Sequence, residues 1–104
     1  MKTPTMTTDE DGTIRYKLNG LNHRTDGPAV IAPDGRQWWY LNGLTHRTDG
    51  PAIIWSDGHQ YWYLNGKQYR FNDYFKQLKQ MNIPDEDIVC LKLKYDPLKS
   101  EFKS

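Results

Sequence analysis

Leu-Asn-Gly-Leu-Asn-His-Arg-Thr-Asp-Gly-Pro-Ala occupies residues 18–29, and the stretch returns at residues 41–52 with one change, Thr45 in place of Asn22. A third copy begins with Leu-Asn-Gly at residues 64–66, and Asp-Gly pairs mark the same period at 11–12, 34–35 and 57–58. The repeat is therefore 23 residues long. A unit this short cannot bury its own apolar face, so the copies must stack into an array.

Each copy contains two segments with strand character. A six-residue run separates an Asp-Gly from an Asn-Gly pair, at Thr13–Leu18, Arg36–Leu41 and His59–Leu64. Asn-Gly favours tight hairpin turns, where positive φ is required. A second run follows each Asp-Gly-Pro, at Ala29–Ala32 and Ala52–Trp55, and both kinds of run are too short for helices. The sequence thus predicts a mainly β fold, an antiparallel meander of stacked β-hairpin repeats over residues 11–71.

The flanking segments differ in composition from the repeats. Residues 1–10 and 96–104 are polar, and we expect them to form flexible tails. Residues 72–95 predict a C-terminal helix-plus-strand cap, because terminal repeats need a polar cover. The helix would begin at the N-cap Asn72, with Asp73 in its first turn. After a loop at 85–87, the strand would contain the alternating apolar residues Val89, Leu91, Leu93 and Tyr95.

Composition narrows the function classes. The 104 residues support one domain with a formal net charge of +1, which gives no electrostatic case for nucleic acid or an anionic membrane. A single cysteine, Cys90, cannot form an internal disulfide, which fits a reducing cytoplasm. The sequence has no apolar run long enough to cross a bilayer. From these features we expect a protein of the cytoplasm.

The 23-residue period, the Asn-Gly turn, the histidine three residues after that glycine, and the Asp-Gly pair resemble membrane occupation and recognition nexus (MORN) repeats. The His-Arg-x-Asp-Gly-Pro-Ala variant resembles divergent repeats of bacteriophage and giant-virus proteins. The resemblance covers residues 11–71 and implies hairpins stacked into a ribbon-like sheet. It also implies protein–protein contacts, dimerisation and, in some members, binding of acidic phospholipids. For a viral member it implies an inhibitor of a host factor.

Strand alternation separates two faces of the predicted sheet. Ile14, Tyr16 and Leu18 should point inward, and their equivalents place Trp39 and Trp62 in the same spine. The opposite face then carries four aromatic residues, which is unusual unless something covers them. Either the cap helix covers this face or a partner binds it. The candidate partner-binding residues are Trp38, Tyr40, Tyr61 and Tyr63, with Arg15, Arg36 and Arg47 at the rim.

The repeated His-Arg-x-Asp motifs allow two interpretations. His23, Arg24 and Asp26, with their equivalents His46, Arg47 and Asp49, could form a row that binds an anion such as a nucleotide or phosphate. Alternatively, each arginine pairs with its turn aspartate and each histidine packs against the strand ladder. We expect no metal site, because the three histidines lack metal-ligand spacing, and no cofactor. No combination of residues suggests a catalytic site, so we expect a protein that is not an enzyme.

The sequence therefore predicts a binding protein that uses its aromatic and arginine-rich face for protein–protein interaction, with a host protein or a second copy as the partner. Sequestration of a small nucleotide-like ligand remains the alternative from a different class. Binding to phospholipid or nucleic acid has less support because of the low net charge.

Overall fold

The computed structural model describes residues 3–95, so the predicted tail at 96–104 lies outside the described residues. The predicted antiparallel meander with a C-terminal helix is confirmed. The elements are β1 Thr5–Thr8, β2 Ile14–Leu18, β3 Leu21–Asn22, β4 Val30–Ile31, β5 Gln37–Trp38, β6 Tyr40–Leu41, β7 Leu44–Thr45, β8 Ile53–Ile54, β9 Gln60–Leu64, β10 Lys67–Tyr69, α1 Phe71–Gln80 and α2 Asp85–Tyr95. The main sheet has the strand order β1-β2-β4-β5-β8-β9-β10, and β3 also pairs with β2. Strands β6 and β7 pair separately.

The turns form where the sequence places Asn-Gly and Asp-Gly. Asn19, Asn42 and Asn65 have φ of 53°, 50° and 51°, and the glycine after each is also left-handed. This geometry matches the twist of the flanking strands. At the Asp-Gly turns the aspartate accepts a hydrogen bond from the backbone N–H two residues later, as in the 3.0 Å contact between Thr13 N and Asp11 Oδ1.

Neighbouring copies are joined at their Asn-Gly turns as well as along the main sheet. The N–H of Gly43 donates to the carbonyl of Asn22 at 2.9 Å, and Gly66 donates to Thr45 at 2.8 Å. In these two turns the preceding asparagine, Asn42 or Asn65, donates its N–H to a histidine of the copy before. Both turns therefore satisfy two of their backbone donors with the previous repeat, which fixes the stacking.

The N-terminal segment is part of the array, and the expectation of a flexible tail over residues 1–10 is wrong for Thr5–Thr8. In β1, Thr7 lies opposite Arg15 and Thr8 opposite Ile14. The pairing of β4 with β5 has the same register 23 residues later, with Val30 opposite Trp38. Strand β1 is thus the second half of an incomplete repeat. Its threonines replace the apolar residues of the later copies, which hides the strand in the sequence.

The two faces of the sheet differ in what covers them. We call the face that carries Arg15, Trp38 and Tyr61 the front face, because these residues lie in one row across the sheet with Val30 and Ile53 between them. The back face carries Tyr16, Trp39 and Trp62, which alternate with them along the strands. Trp62 is buried, whereas Tyr16 and Trp39 are half-buried. The predicted spine therefore forms, but only its third ring is enclosed.

Helices α1 and α2 cover the end of the back face. Trp62 and Leu64 form the main buried cluster with Tyr74, Phe75, Leu78 and Ile88. The Trp62 ring lies 4.8 Å from that of Tyr74 and 5.3 Å from those of Phe71 and Tyr95. The Tyr74 hydroxyl donates hydrogen bonds to the backbone carbonyls of Arg47 and Gly50. These two contacts of the hydroxyl connect α1 to the second repeat.

The expected strand in the cap is wrong, because Asp85–Tyr95 is helical. Ile88, Leu91 and Tyr95 have the i, i+3, i+7 spacing of a helix face and contact the core, while Val89 and Leu93 stay exposed. The residues expected to form a loop at 85–87 instead make up an acidic first turn, which suits the helix dipole. Likewise α1 begins at Phe71 after the N-cap Arg70, not at Asn72, although Asp73 lies in its first turn as predicted.

Replacing matched tryptophans tests which face is buried. Trp62→Ala should lower the free energy of unfolding by about 3–5 kcal/mol, because the variant loses a large buried ring. Trp38→Ala on the front face should cost less than half as much, because that ring is only half-buried. Urea denaturation of both variants measures the difference, and equal losses would contradict the assignment of the faces.

Candidate functional site

The front face presents a group of aromatic rings held around one arginine. The ring centroids of Trp38 and Trp55 are 6.5 Å apart, and those of Trp55 and Tyr61 are 6.4 Å apart, both in edge-to-face orientation. The guanidinium carbon of Arg36 lies 5.3 Å from the Trp38 ring centre and 5.2 Å from that of Trp55. We call Trp38, Trp55, Tyr61 and Arg36 the aromatic cluster.

The strands set the position of each ring in the cluster. Trp38 and Tyr61 both lie directly opposite Ile53 of β8, one on each side, and Trp55 follows Ile53 by two positions on the same face. An edge-to-face pair of rings is favoured by its quadrupoles, beyond the area that it buries. The cluster is therefore positioned by paired strands, with Trp38 and Tyr61 inside them and Trp55 and Arg36 directly beside a strand end.

The cap helices do not cover this face. Both helices contact the ring of Trp62, which points to the back of the sheet. The first of the two alternatives for the aromatic face, coverage by the cap helix, is therefore wrong. Trp55 is 37% exposed, and Trp38 and Tyr61 are half-buried by their neighbours in the cluster.

The other predicted tyrosines extend the cluster along the strands. Tyr40 lines a shallow front-face cavity of about 390 Å³ together with Trp38, Arg15 and Arg36. Tyr63 follows Tyr61 by two positions in β9, so it lies on the same face. The four aromatic residues that the sequence predicted thus share the front face.

The three predicted rim arginines do not all lie there. Arg15 pairs with Asp9 at 2.8 Å and Arg36 with Asp34 at 3.0 Å, and both line the front-face cavity. Arg47 instead lies on the back face, with its guanidinium carbon 3.9 Å from the centre of the Trp39 ring. The prediction of Arg47 at the rim is wrong because its loop folds back over its own hairpin.

Sequence reasoning missed Trp55. It occupies the position at which the first copy has Ala32, 23 residues earlier. The face on which Trp55 lies could have been predicted from the sequence. Trp55 follows Ile53 by two residues, so both side chains share a face, and Ile53 is the equivalent of Val30 in the preceding repeat. A tryptophan that replaces an alanine at a repeat position adds a large ring to one face of the array without changing its pattern.

The His-Arg-x-Asp motifs have a structural role. Arg24 donates from Nε to Asp26 at 2.9 Å and from Nη1 to the carbonyl of Pro28 at 3.2 Å, while its guanidinium carbon lies 4.0 Å from the Tyr16 ring centre. Arg47 repeats these contacts with Asp49, Pro51 and Trp39. A back-face cavity of about 350 Å³ lies between the two motifs. The arginines that line it are already paired with carboxylates, which disfavours an anion site there.

The histidines of the motif join the copies. The Asn42 N–H donates to His23 Nδ1 at 3.0 Å, and the Asn65 N–H donates to His46 Nδ1 at 2.9 Å. An acceptor Nδ1 requires the neutral imidazole. Burial lowers the pKa of His46 below its ordinary value of 6.5, which favours the same form. His46 lines the back-face cavity together with the charged residues of both motifs, Arg24, Asp26, Arg47 and Asp49.

Within residues 3–95, no three His, Cys, Asp or Glu side chains come together in a group that could hold a metal ion. Cys90 has a free thiol that is exposed on α2. Neither of the described helices has the length and apolar character needed to span a membrane. Comparisons with protein-family models, with curated proteins and with solved structures found no match.

The contact of His46 makes the stability of the fold depend on pH. The pKa of His46 is lower in the folded state than in the unfolded state, so its stabilisation is fully present above the unfolded value and is lost as the pH falls through the folded value. The free energy of unfolding should therefore decrease from about pH 7.5 to about pH 5, the range in which histidine titrates. His46→Asn keeps an acceptor near the same place without titrating, and should flatten this slope.

The control for this experiment is His59→Asn. His59 contacts Asp57 within its own turn, at 2.8 Å, and joins no neighbouring copy. Urea denaturation at a series of pH values should show a smaller change of slope in this variant than in His46→Asn, because the contact between His59 and Asp57 is exposed to solvent. An unchanged slope in His46→Asn would contradict the proposed role of the inter-repeat bond.

Proposed function

We propose that this protein is a non-enzymatic binding module that presents its front face to a protein partner. The observation that supports this proposal is the aromatic cluster. It stays uncovered on the front face, while the cap helices enclose the ring of Trp62 on the back face. Large apolar patches on a protein surface commonly mark interaction sites.

The composition of the cluster suits a protein interface. Tryptophan, tyrosine and arginine are the residues that most often contribute the largest share of binding energy at such interfaces. Here the Arg36 guanidinium contacts two tryptophan rings and is held by Asp34 at 3.0 Å. A side chain fixed in this way loses little conformational freedom when a partner binds.

The rigidity of the platform supports the same proposal. The residues Arg15, Val30, Trp38, Ile53 and Tyr61 lie opposite one another on successive strands of one sheet. Binding would therefore need only small side-chain adjustments. The cluster would form the centre of the interface, and Tyr40, Tyr63 and Arg15 its periphery.

The resemblance to MORN-like viral repeats adds a more specific proposal. In this proposal the partner is a host protein in the cytoplasm, and the module inhibits it by covering the surface that it needs. The proposal requires neither chemistry nor a cofactor, because a rigid aromatic face is enough to occupy a partner surface.

A second proposal, sequestration of a nucleotide-like ligand, draws support from the front-face cavity of about 390 Å³, whose walls combine Trp38 and Tyr40 with two arginines. Both arginines are paired with aspartates, at 2.8 Å and 3.0 Å, so a phosphate would have to compete with these carboxylates. A protein that sequesters such a ligand should release it on heat denaturation. The released ligand would then be detected in the supernatant by absorbance at 260 nm or by mass spectrometry. A supernatant without either would reject this proposal.

The double variant Trp38→Ala with Tyr61→Ala tests the proposed protein interface. We expect it to retain the circular dichroism spectrum of the wild type and to lose stoichiometric capture of a partner from a lysate of the host. Trp55→Ala should weaken binding by at least about tenfold, which corresponds to roughly 1.4 kcal/mol, because Trp55 contacts both other rings.

The matched controls are Leu44→Ala and Leu93→Ala. These side chains are also exposed, 50% and 51%, but lie in the β6–β7 hairpin and on α2, outside the aromatic cluster. Both variants should bind as the wild type does. Retained binding by the double variant, or equal loss in the controls, would refute the front-face interface.

A further inference from the structure

The strand β1 ends the sheet with one side unpaired among the described residues. It pairs with β2 on its inner side, and no strand within residues 3–95 adjoins its outer side. All four of its residues are exposed. The corresponding strands of the later copies, β4 and β8, have a strand on each side. Strand β1 therefore offers the edge at which the repeat array would otherwise continue.

Within Thr5–Thr8 this edge lacks the features by which monomeric proteins protect a free strand, and Pro4 directly before it limits the exposed pairing groups to these four residues. Thr5, Met6, Thr7 and Thr8 carry no charge and include no proline or glycine. Threonine has high strand propensity, and Thr–Thr pairs across strands are favourable. Natural edges are usually blocked by lysine, proline, a bulge or a covering segment.

The backbone geometry shows which groups face outward. The N–H of Asp9 donates to the carbonyl of Thr13 at 2.8 Å, so the Asp9 backbone faces β2. Backbone polar groups alternate between the two sides of a strand, which turns those of Met6 and Thr8 toward the free side. The free side thus offers two N–H donors and two carbonyl acceptors.

We propose that β1 pairs antiparallel with β1 of a second copy, around a two-fold axis beside Thr7. Met6 of each copy would lie opposite Thr8 of the other and exchange hydrogen bonds with it, and the two Thr7 side chains would be neighbours. An isologous pair of this kind requires that the strand be complementary to itself. A strand made of three threonines and one methionine meets this condition.

The charges beside the strand favour the antiparallel direction. Asp9, Glu10 and Asp11 follow β1 directly. Parallel pairing would place these acidic segments of the two copies together, whereas antiparallel pairing puts them at opposite ends of the paired strands. Four residues per copy bury less area than a standard interface, so the dimer should be weak and reversible.

Charge reversal at the two-fold axis tests this pairing. Thr7→Lys and Thr7→Glu each place like charges side by side across the axis, and each should raise the dimer dissociation constant at least about tenfold, or roughly 1.4 kcal/mol. An equimolar mixture of the two variants should restore the dimer, because the charges then attract. Sedimentation equilibrium over a range of concentrations measures all three samples.

A second pair of variants removes the outward hydrogen bond itself. Thr8→Pro deletes a donor that faces the free side, while Thr8→Val keeps the donor and the shape of the side chain. The proline variant should be monomeric and the valine variant dimeric, each with the circular dichroism spectrum of the wild type. If Thr8→Pro fails to fold, the Thr7 variants still decide the question.

Three results would overturn the proposal. The first is a wild-type protein that stays monomeric up to millimolar concentration. The second is a mixture of the Thr7 variants that fails to dimerise. The third is a dimer that survives both Thr7 variants and is lost in Trp38→Ala with Tyr61→Ala, because self-association would then use the front face.

Discussion

Neighbouring repeats are held together by hydrogen bonds at both ends of each hairpin, and the rest of the structure depends on this coupling. Along the main sheet, strands of adjacent copies pair directly, as Val30 does with Trp38. At the Asn-Gly ends, the amides of Asn42 and Gly43 bind the preceding copy. A hairpin of this size has too little apolar surface to be stable alone. Stacking supplies a pairing partner for the strands of each hairpin and fixes every ring relative to the next.

The two faces of the coupled sheet differ in what covers them. On the back face, Arg24 and Arg47 cover the first two rings, and helices α1 and α2 enclose the third, Trp62. The front face has no corresponding cover from these elements, and its rings contact one another instead. The same distinction explains why the repeated arginines on the back are structural, whereas Arg36 lies among the rings of the proposed interface.

The sequence was sufficient for the array and for most of the front face, because turn dipeptides and strand alternation are local signals. Asn42 in its left-handed turn and the shared face of Trp38 and Tyr61 follow directly from them. The failures occurred where local pattern and packing disagree. Val89 and Leu93 fit a strand by alternation, yet the packing of Ile88 against the core selects a helix, as the acidic turn after Pro84 would have suggested.

Other predictions were wrong where one copy differs in residue type from the rest or where a loop folds back over its own hairpin. Strand β1 has Thr7 and Thr8 where the next copy has Val30 and Ile31, so only its register relative to β2 identifies it. The loop that carries Arg47 turns back over Trp39, which no local signal indicates. Trp55 could have been assigned to the front face by counting from Ile53.

The equal register of β1 and β4 has a consequence for how such arrays can vary in length. Because every repeat boundary has the same strand pairing, a whole unit can be inserted or removed without disturbing the register of the strands beside it. Each added unit of 23 residues would widen the sheet by two strands, roughly 10 Å. Duplication of the coding segment could thus enlarge this platform in fixed increments, with its end pieces reused unchanged.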